Sequence, residues 1–198
     1  RSLGFVFIAF MVAKLGTTSV AAYGVGGEVL GLIMVVSMSF MMATSVMVGR
    51  SVGSGNYERA EFISKSVAKM SFLVVTFLGI LSFYFAEGIS RMFVPNDPAV
   101  IFESIQYLQI ISLFFGFFSL QQIFNGAFTG VGDTKISMVL AIISLWVLRI
   151  PIAYVLSNTT LGFAGICWSF PIANTVAAAL GYAVFVRGGW KKKELGIN

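Results

Sequence analysis

Apolar residues occupy this chain in long runs, broken only by short polar links. Six runs can be drawn: residues 3–13, 22–49, 67–85, 104–128, 136–156 and 163–186. The links are rich in turn formers, among them KLGTTS at 14–19, VPNDP at 94–98, GVGDTK at 130–135 and SNTTLG at 157–162. Runs of about 18 or more apolar residues read as membrane-spanning helices. The first run is about half that length. The pattern therefore predicts an all-α fold, a polytopic membrane bundle of six antiparallel segments with the first one truncated.

Composition strengthens this reading. The 198 residues are 58% hydrophobic and 11% charged, and the mean hydropathy is +0.92. A soluble domain carries about 25% charged residues. No charge lies between Val29 and Gly49, between Ser104 and Gly132, or between Ile150 and Val186. Histidine is absent, and the single cysteine, Cys167, sits in an apolar run. A disulfide framework and a cysteine-based metal site are thereby excluded. No catalytic, cofactor or metal residues are assigned, so the chain is not expected to be an enzyme. The first run lacks the small-residue cleavage site of a secretory signal.

The net charge of +5 is read as basic residues gathered on one side of a bilayer rather than as a nucleic-acid site. Arg50, Arg59, Lys65 and Lys69 flank one link, Lys135 follows a second on the same side, and Arg187 and Lys191 to Lys193 lie in the tail. Lys14 and Arg91 lie opposite. The C-terminus is expected to be cytoplasmic, in a multi-pass protein of the plasma membrane. The stretch VGRSVGSGNYERA at 48–60 then has a simple meaning. Its glycines end one helix, Asn56 caps the next, and Glu58 and Glu61 sit where the helix dipole favours them. A phosphate loop is excluded, because no Gly-Lys-Ser/Thr follows. Asp133 is expected to cap the helix after it, and Pro151 and Pro171 are expected to kink theirs.

Two intramembrane charges stand out. Counting about 1.5 Å per residue from the outer ends, Glu28 and Arg149 lie roughly 9 and 12 Å deep. Such residues usually face a bundle interior and pair; they are expected to form an ion pair. Met34, Met38, Met41 and Met42 share one helical face. Phe114, Phe118, Gln121 and Asn125 share another, aromatic at its outer end and polar toward the cytoplasm. Methionine suits adaptable apolar binding surfaces, aromatic faces attract organic cations, and amides fix orientation. Met34, Met38, Met41, Phe114, Phe118, Gln121 and Asn125 are the expected substrate-cavity residues.

LGTTSVAAYGVG, VGRSVGSGNYERA, MFVPNDPAVIFESIQYLQI, GAFTGVGDTKISM, LRIPIAYVL and LGFAGICWSFPIAN occur in an order and spacing that resemble the multidrug and toxic-compound extrusion (MATE) transporters. That family has twelve helices in two six-helix lobes. The resemblance implies that residues 1–198 are the C-terminal lobe, helices seven to twelve, with the N-terminal lobe outside this chain. Two departures matter. The family's usual Gln is Arg50, and Phe118 stands near the Asp of the branch with a sodium site in this lobe. The resemblance therefore places the coupling acids in the N-terminal lobe. The implied function is a secondary antiporter that exports amphipathic organic cations in exchange for H+ or Na+ by alternating access. A lipid-linked oligosaccharide flippase of the same superfamily is the alternative. It needs a basic cavity to hold pyrophosphate, and Arg149 alone is available. The motif series excludes a channel or receptor, and the missing histidine and acid pair speak against a hydrolase.

Overall fold

The computed structural model describes residues 2–159 and 162–188, and all regular structure within them is helical. The helices are α1 (Ser2–Ala13), α2 (Thr17–Gly53), α3 (Tyr57–Tyr84), α4 (Ala86–Phe93), α5 (Pro98–Ser112), α6 (Phe115–Gly130), α7 (Thr134–Ile142), α8 (Ile150–Ser157) and α9 (Gly162–Val186). A π-helical stretch, Ile143–Arg149, joins α7 to α8 into one rod. Among the described residues four helical rods are long and apolar enough to cross a membrane, and α5 with α6 makes a fifth if the bent pair counts as one span. The chain is a multi-pass membrane protein. α1, with 12 residues, is about 18 Å long and falls short of the roughly 30 Å hydrocarbon core.

The expected single span over 104–128 is instead two helices meeting at 51°. Neither proline nor glycine stands at Leu113 or Phe114, where the bend lies. The cause is the close approach of α3. A side chain on Gly79 of α3 would strike the Ser112 carbonyl, and one on Gly116 would strike Thr76 and Phe72. The two contacts pin the chain on either side of the break. The region after 85, read as a link, also holds the short helix α4, closed by an Arg91 Nη2 to Glu87 Oε1 ion pair of 2.9 Å.

At Pro151 the expected kink takes the form of the π-helical stretch just before it. Proline lacks an N–H and its ring crowds the preceding turn, and a widened turn of this kind relieves that crowding. Pro171 lies inside α9, which continues through it.

The helix ends follow the turn chemistry. Asn56 accepts a hydrogen bond from the Arg59 backbone N–H at 2.9 Å, and Gly55 turns the chain with φ 73°. Asp97 accepts from the N–H groups of Ala99 and Val100, with Pro98 at the first helical position. Asp133 occupies the N-cap position of α7, as expected, but its side chain makes no capping hydrogen bond there. Gly49 lies against the Gly130 carbonyl, so the α2–α3 and α6–α7 turns share one end of the bundle. Arg50, Arg59 and Lys135 therefore gather there. Lys191 to Lys193 lie outside the described residues.

Two buried clusters fill the bundle. One, toward the opposite end, joins Ile8, Ile33, Leu108, Ile111, Phe115 and Ile166; the other joins Val48, Ala60, Phe128, Leu140 and Phe185 at the basic end. Between them the chain buries Gln121, Gln122, Asn125 and Arg149. Large apolar side chains such as Leu32, Phe62, Leu73 and Phe77 are exposed on the outside. In a bilayer this surface meets acyl chains.

Candidate functional site

The polar groups between the two clusters converge on a cleft formed by α2, α6, the π-helical stretch and α9. Met34, Phe118, Gln121, Gln122, Ser144, Arg149, Phe170 and Asn174 line it. It has room for about 60 Å³, a few water molecules at most. Arg149 is 6% exposed. Its Nη2 donates to the Tyr23 hydroxyl at 3.5 Å, and its guanidinium lies 5.0 Å from the centre of the Phe170 ring. That arrangement combines a hydrogen bond with a cation–π contact. The Asn174 Nδ2 donates to the Phe170 carbonyl at 2.7 Å.

Met34, Phe118 and Gln121 thus share one cleft, with Phe118 tilted against Phe170 at 5.7 Å between centroids. The other expected cavity residues are placed differently. Asn125 is buried one turn away on α6, where its Nδ2 donates to Gln122 and its Oδ1 accepts from Ser137 of α7. Met41 packs on Gly126 at the α2–α6 crossing, and Met38 is exposed. Phe114 stands at the α5–α6 break against Phe117 and Trp168.

Glu28 and Arg149 do not form the expected ion pair. Glu28 is exposed, and the acidic partners in the Lys65–Glu61 and Arg91–Glu87 ion pairs lie elsewhere. Equal depth does not fix the direction of a side chain about its helix axis. Tyr23, which Arg149 engages, precedes Glu28 by five residues, or about 140° around a helix. Glu28→Gln should accordingly leave the melting of the full-length protein within about 0.5 kcal/mol of wild type. A loss of about 3–5 kcal/mol, the effect of stripping the partner from a buried charge, would show that the two do meet.

Gln122, Ser144, Asn174 and Tyr23 were not anticipated. Gln122 and Asn174 are amides inside apolar runs, the same signal that marked Gln121 and Asn125. Ser144 reaches the cleft through the π-helical stretch, which shifts the helix register, and apolar periodicity alone does not disclose that shift.

Residues 1–155 match the family model described as MatE. The chain belongs to the MatE family. A relative, "Probable multidrug resistance protein NorM" of Thermotoga maritima, is 30% identical over 196 residues, covering 98% of this chain and 42% of the relative. The chain thus spans less than half the length of such MatE relatives. Two solved structures share the fold at 22% identity. One is described as "Outward-facing conformation of a multidrug resistance MATE family transporter of the MOP superfamily", with a TM-score of 0.89 over 97% of this chain and 44% of that one. The other is described as "Inward-facing conformation of a multidrug resistance MATE family transporter of the MOP superfamily", with a TM-score of 0.88 over 97% of this chain and 45% of that one.

Proposed function

We propose that this MatE chain is the C-terminal lobe of a secondary antiporter. The whole transporter exports amphipathic organic cations in exchange for H+ or Na+ by alternating access. The size and lining of the cleft carry the proposal. A site for a drug-sized ligand takes about 300–1,000 Å³, whereas the cleft holds about 60 Å³. Its methionine, phenylalanine and amide lining is nevertheless of the kind that receives amphipathic molecules. It reads as one wall of a site, with the opposing wall supplied by an N-terminal lobe, and transporter sites lie between such repeats. The names of the relatives support multidrug export. The near-equal fit to outward- and inward-facing structures supports a lobe that moves as one body.

The coupling acids are assigned to the N-terminal lobe. The flippase reading is weaker, since Arg149 is the one basic residue among the cleft's described lining, and Tyr23 and Phe170 already engage it.

The test is efflux of a fluorescent cation by the full-length transporter in vesicles. Saturable movement driven by an imposed H+ or Na+ gradient is expected, and gradient-independent movement would overturn antiport. Gln121→Leu should alter the ratio of export between a hydrogen-bonding cation and a purely alkylated one about tenfold. That is the worth of roughly 1.4 kcal/mol, near one hydrogen bond. Expression should change little.

The basic end is assigned to the cytoplasm by the positive-inside rule. A cysteine at Ser54 should react with a membrane-impermeant reagent only after the cells are opened, and labelling in intact cells would reverse the orientation.

A further inference from the structure

On different faces of α6 and α9 from those that line the cleft lies a second concavity, bounded also by α3. It is a groove of about 620 Å³, lined by Phe72, Phe117, Leu120, Phe124, Ala178 and Tyr182 among others, with Lys65 and Lys69 at its mouth. We propose that this groove binds an anionic phospholipid, with an acyl chain along the aromatic floor and the phosphate between Lys65 and Lys69.

Depth places the lysines at the headgroup level. A hydrocarbon core of about 30 Å takes about 20 helical residues. Counting that far back from Phe85, the C-cap of α3, arrives at Lys65. Lys69 lies one turn further in, and its long stem lets the ammonium reach back to the interface. Lys65, Lys69 and Phe72 follow i, i+4, i+7 spacing, so one stripe of α3 presents two cations and then an aromatic ring to the same groove. On the other side, Ala178 and Ala179 keep the channel open where larger residues of α9 would fill it.

The charges are complementary to one phosphate diester. Lys65 is held by Glu61 at 2.6 Å, which fixes its position and offsets part of its charge. Lys69 forms no ion pair among the described residues and supplies the net positive charge. A basic pocket between spanning helices at the membrane surface suits an anionic headgroup. Thr175 also belongs to the groove lining, with its Oγ1 buried and without a hydrogen-bond partner among the described residues. Phe72 and Phe117 meet edge to face at 5.6 Å, and Phe124 and Tyr182 lie 5.8 Å apart, giving the acyl chain preformed walls. Nothing in this site depends on which substrate is transported.

The experiment uses the purified full-length transporter in a neutral detergent, titrated with phosphatidylglycerol or phosphatidylcholine and read by native mass spectrometry. Wild type should retain phosphatidylglycerol at least about tenfold more than phosphatidylcholine, a difference of about 1.4 kcal/mol. The Lys65→Gln/Lys69→Gln double variant should lose that preference, while Lys135→Gln, which removes a cation outside the groove, should keep it. Ala179→Trp should reduce retention of both lipids by blocking the acyl channel. Inorganic phosphate should not displace the bound lipid. Equal retention of the two lipids by wild type would overturn the proposal. So would a loss on Lys135→Gln as large as that of the double variant, or full displacement by phosphate alone. If the double variant does not fold, Ala179→Trp decides alone, and unchanged retention there overturns the site.

Discussion

Gly126→Val should abolish accumulation of the folded full-length transporter, read as loss of the monodisperse peak in detergent chromatography. α6 crosses α2 through Gly126 and Gly130, against Met41, Ser45 and Gly49. A Cβ on Gly126 would lie 2.5 Å from the Met41 carbonyl oxygen, and one on Gly130 would lie 2.5 Å from that of Ser45. Both obstacles are backbone, so no rotamer change clears them and the helices must separate. Forcing extra carbons into packed space costs about 1–3 kcal/mol where side chains can yield; a rigid backbone obstacle should exceed that range. Small residues four apart allow this close approach in membranes, where packing rather than water expulsion drives association. Gly27→Val on α2, with nothing within 4 Å of the added Cβ position, is the matched control and should accumulate nearly as wild type. Equal behaviour of the two variants would mean that the crossing is not a tight one.

The same crossing shows what was legible in the sequence. Apolar runs and turn residues located the spanning rods and their links, because length against bilayer thickness is a one-dimensional property. The cap at Asn56 and the glycine turn at Gly55 are equally local and were readable. The break at Leu113–Phe114 was not, because both halves are apolar and the contacts that flank it are made with α3, Gly79 against Ser112 and Thr76 with Phe72 against Gly116. The pairing of Glu28 with Arg149 failed for a related reason. Similar depth along two helices leaves open the angle each side chain takes about its axis, and Arg149 turns instead to Tyr23 and Phe170. Among the expected cavity residues, a helical net gives the face that Met41 takes on α2 and Gln121 on α6, but not what either face meets. The neighbour decides that Met41 covers Gly126 while Gln121 enters the cleft. The resemblance to the MATE transporters supplied what periodicity alone does not, membership of the MatE family.

Residues 1–198 reconstituted by themselves should show no gradient-driven, saturable cation transport. Alternating access requires two surfaces that close on the substrate in turn. The cleft of this chain holds about 60 Å³, so a drug-sized cation cannot be sequestered within it and must rest against a second wall. α1 also fails to reach across the hydrocarbon core, leaving its side of α2 open to lipid. The remaining rods should still insert, because each satisfies its backbone hydrogen bonds internally. The outcome to look for is therefore an inserted, helical and inert protein. Circular dichroism in vesicles separates this from simple misfolding, and co-reconstitution with the other part of the same transporter should restore efflux. Saturable uptake by residues 1–198 alone, responding to an imposed H+ or Na+ gradient, would show that the opposing wall is unnecessary. The cleft would then be the whole site, and the two-lobe mechanism would have to be abandoned.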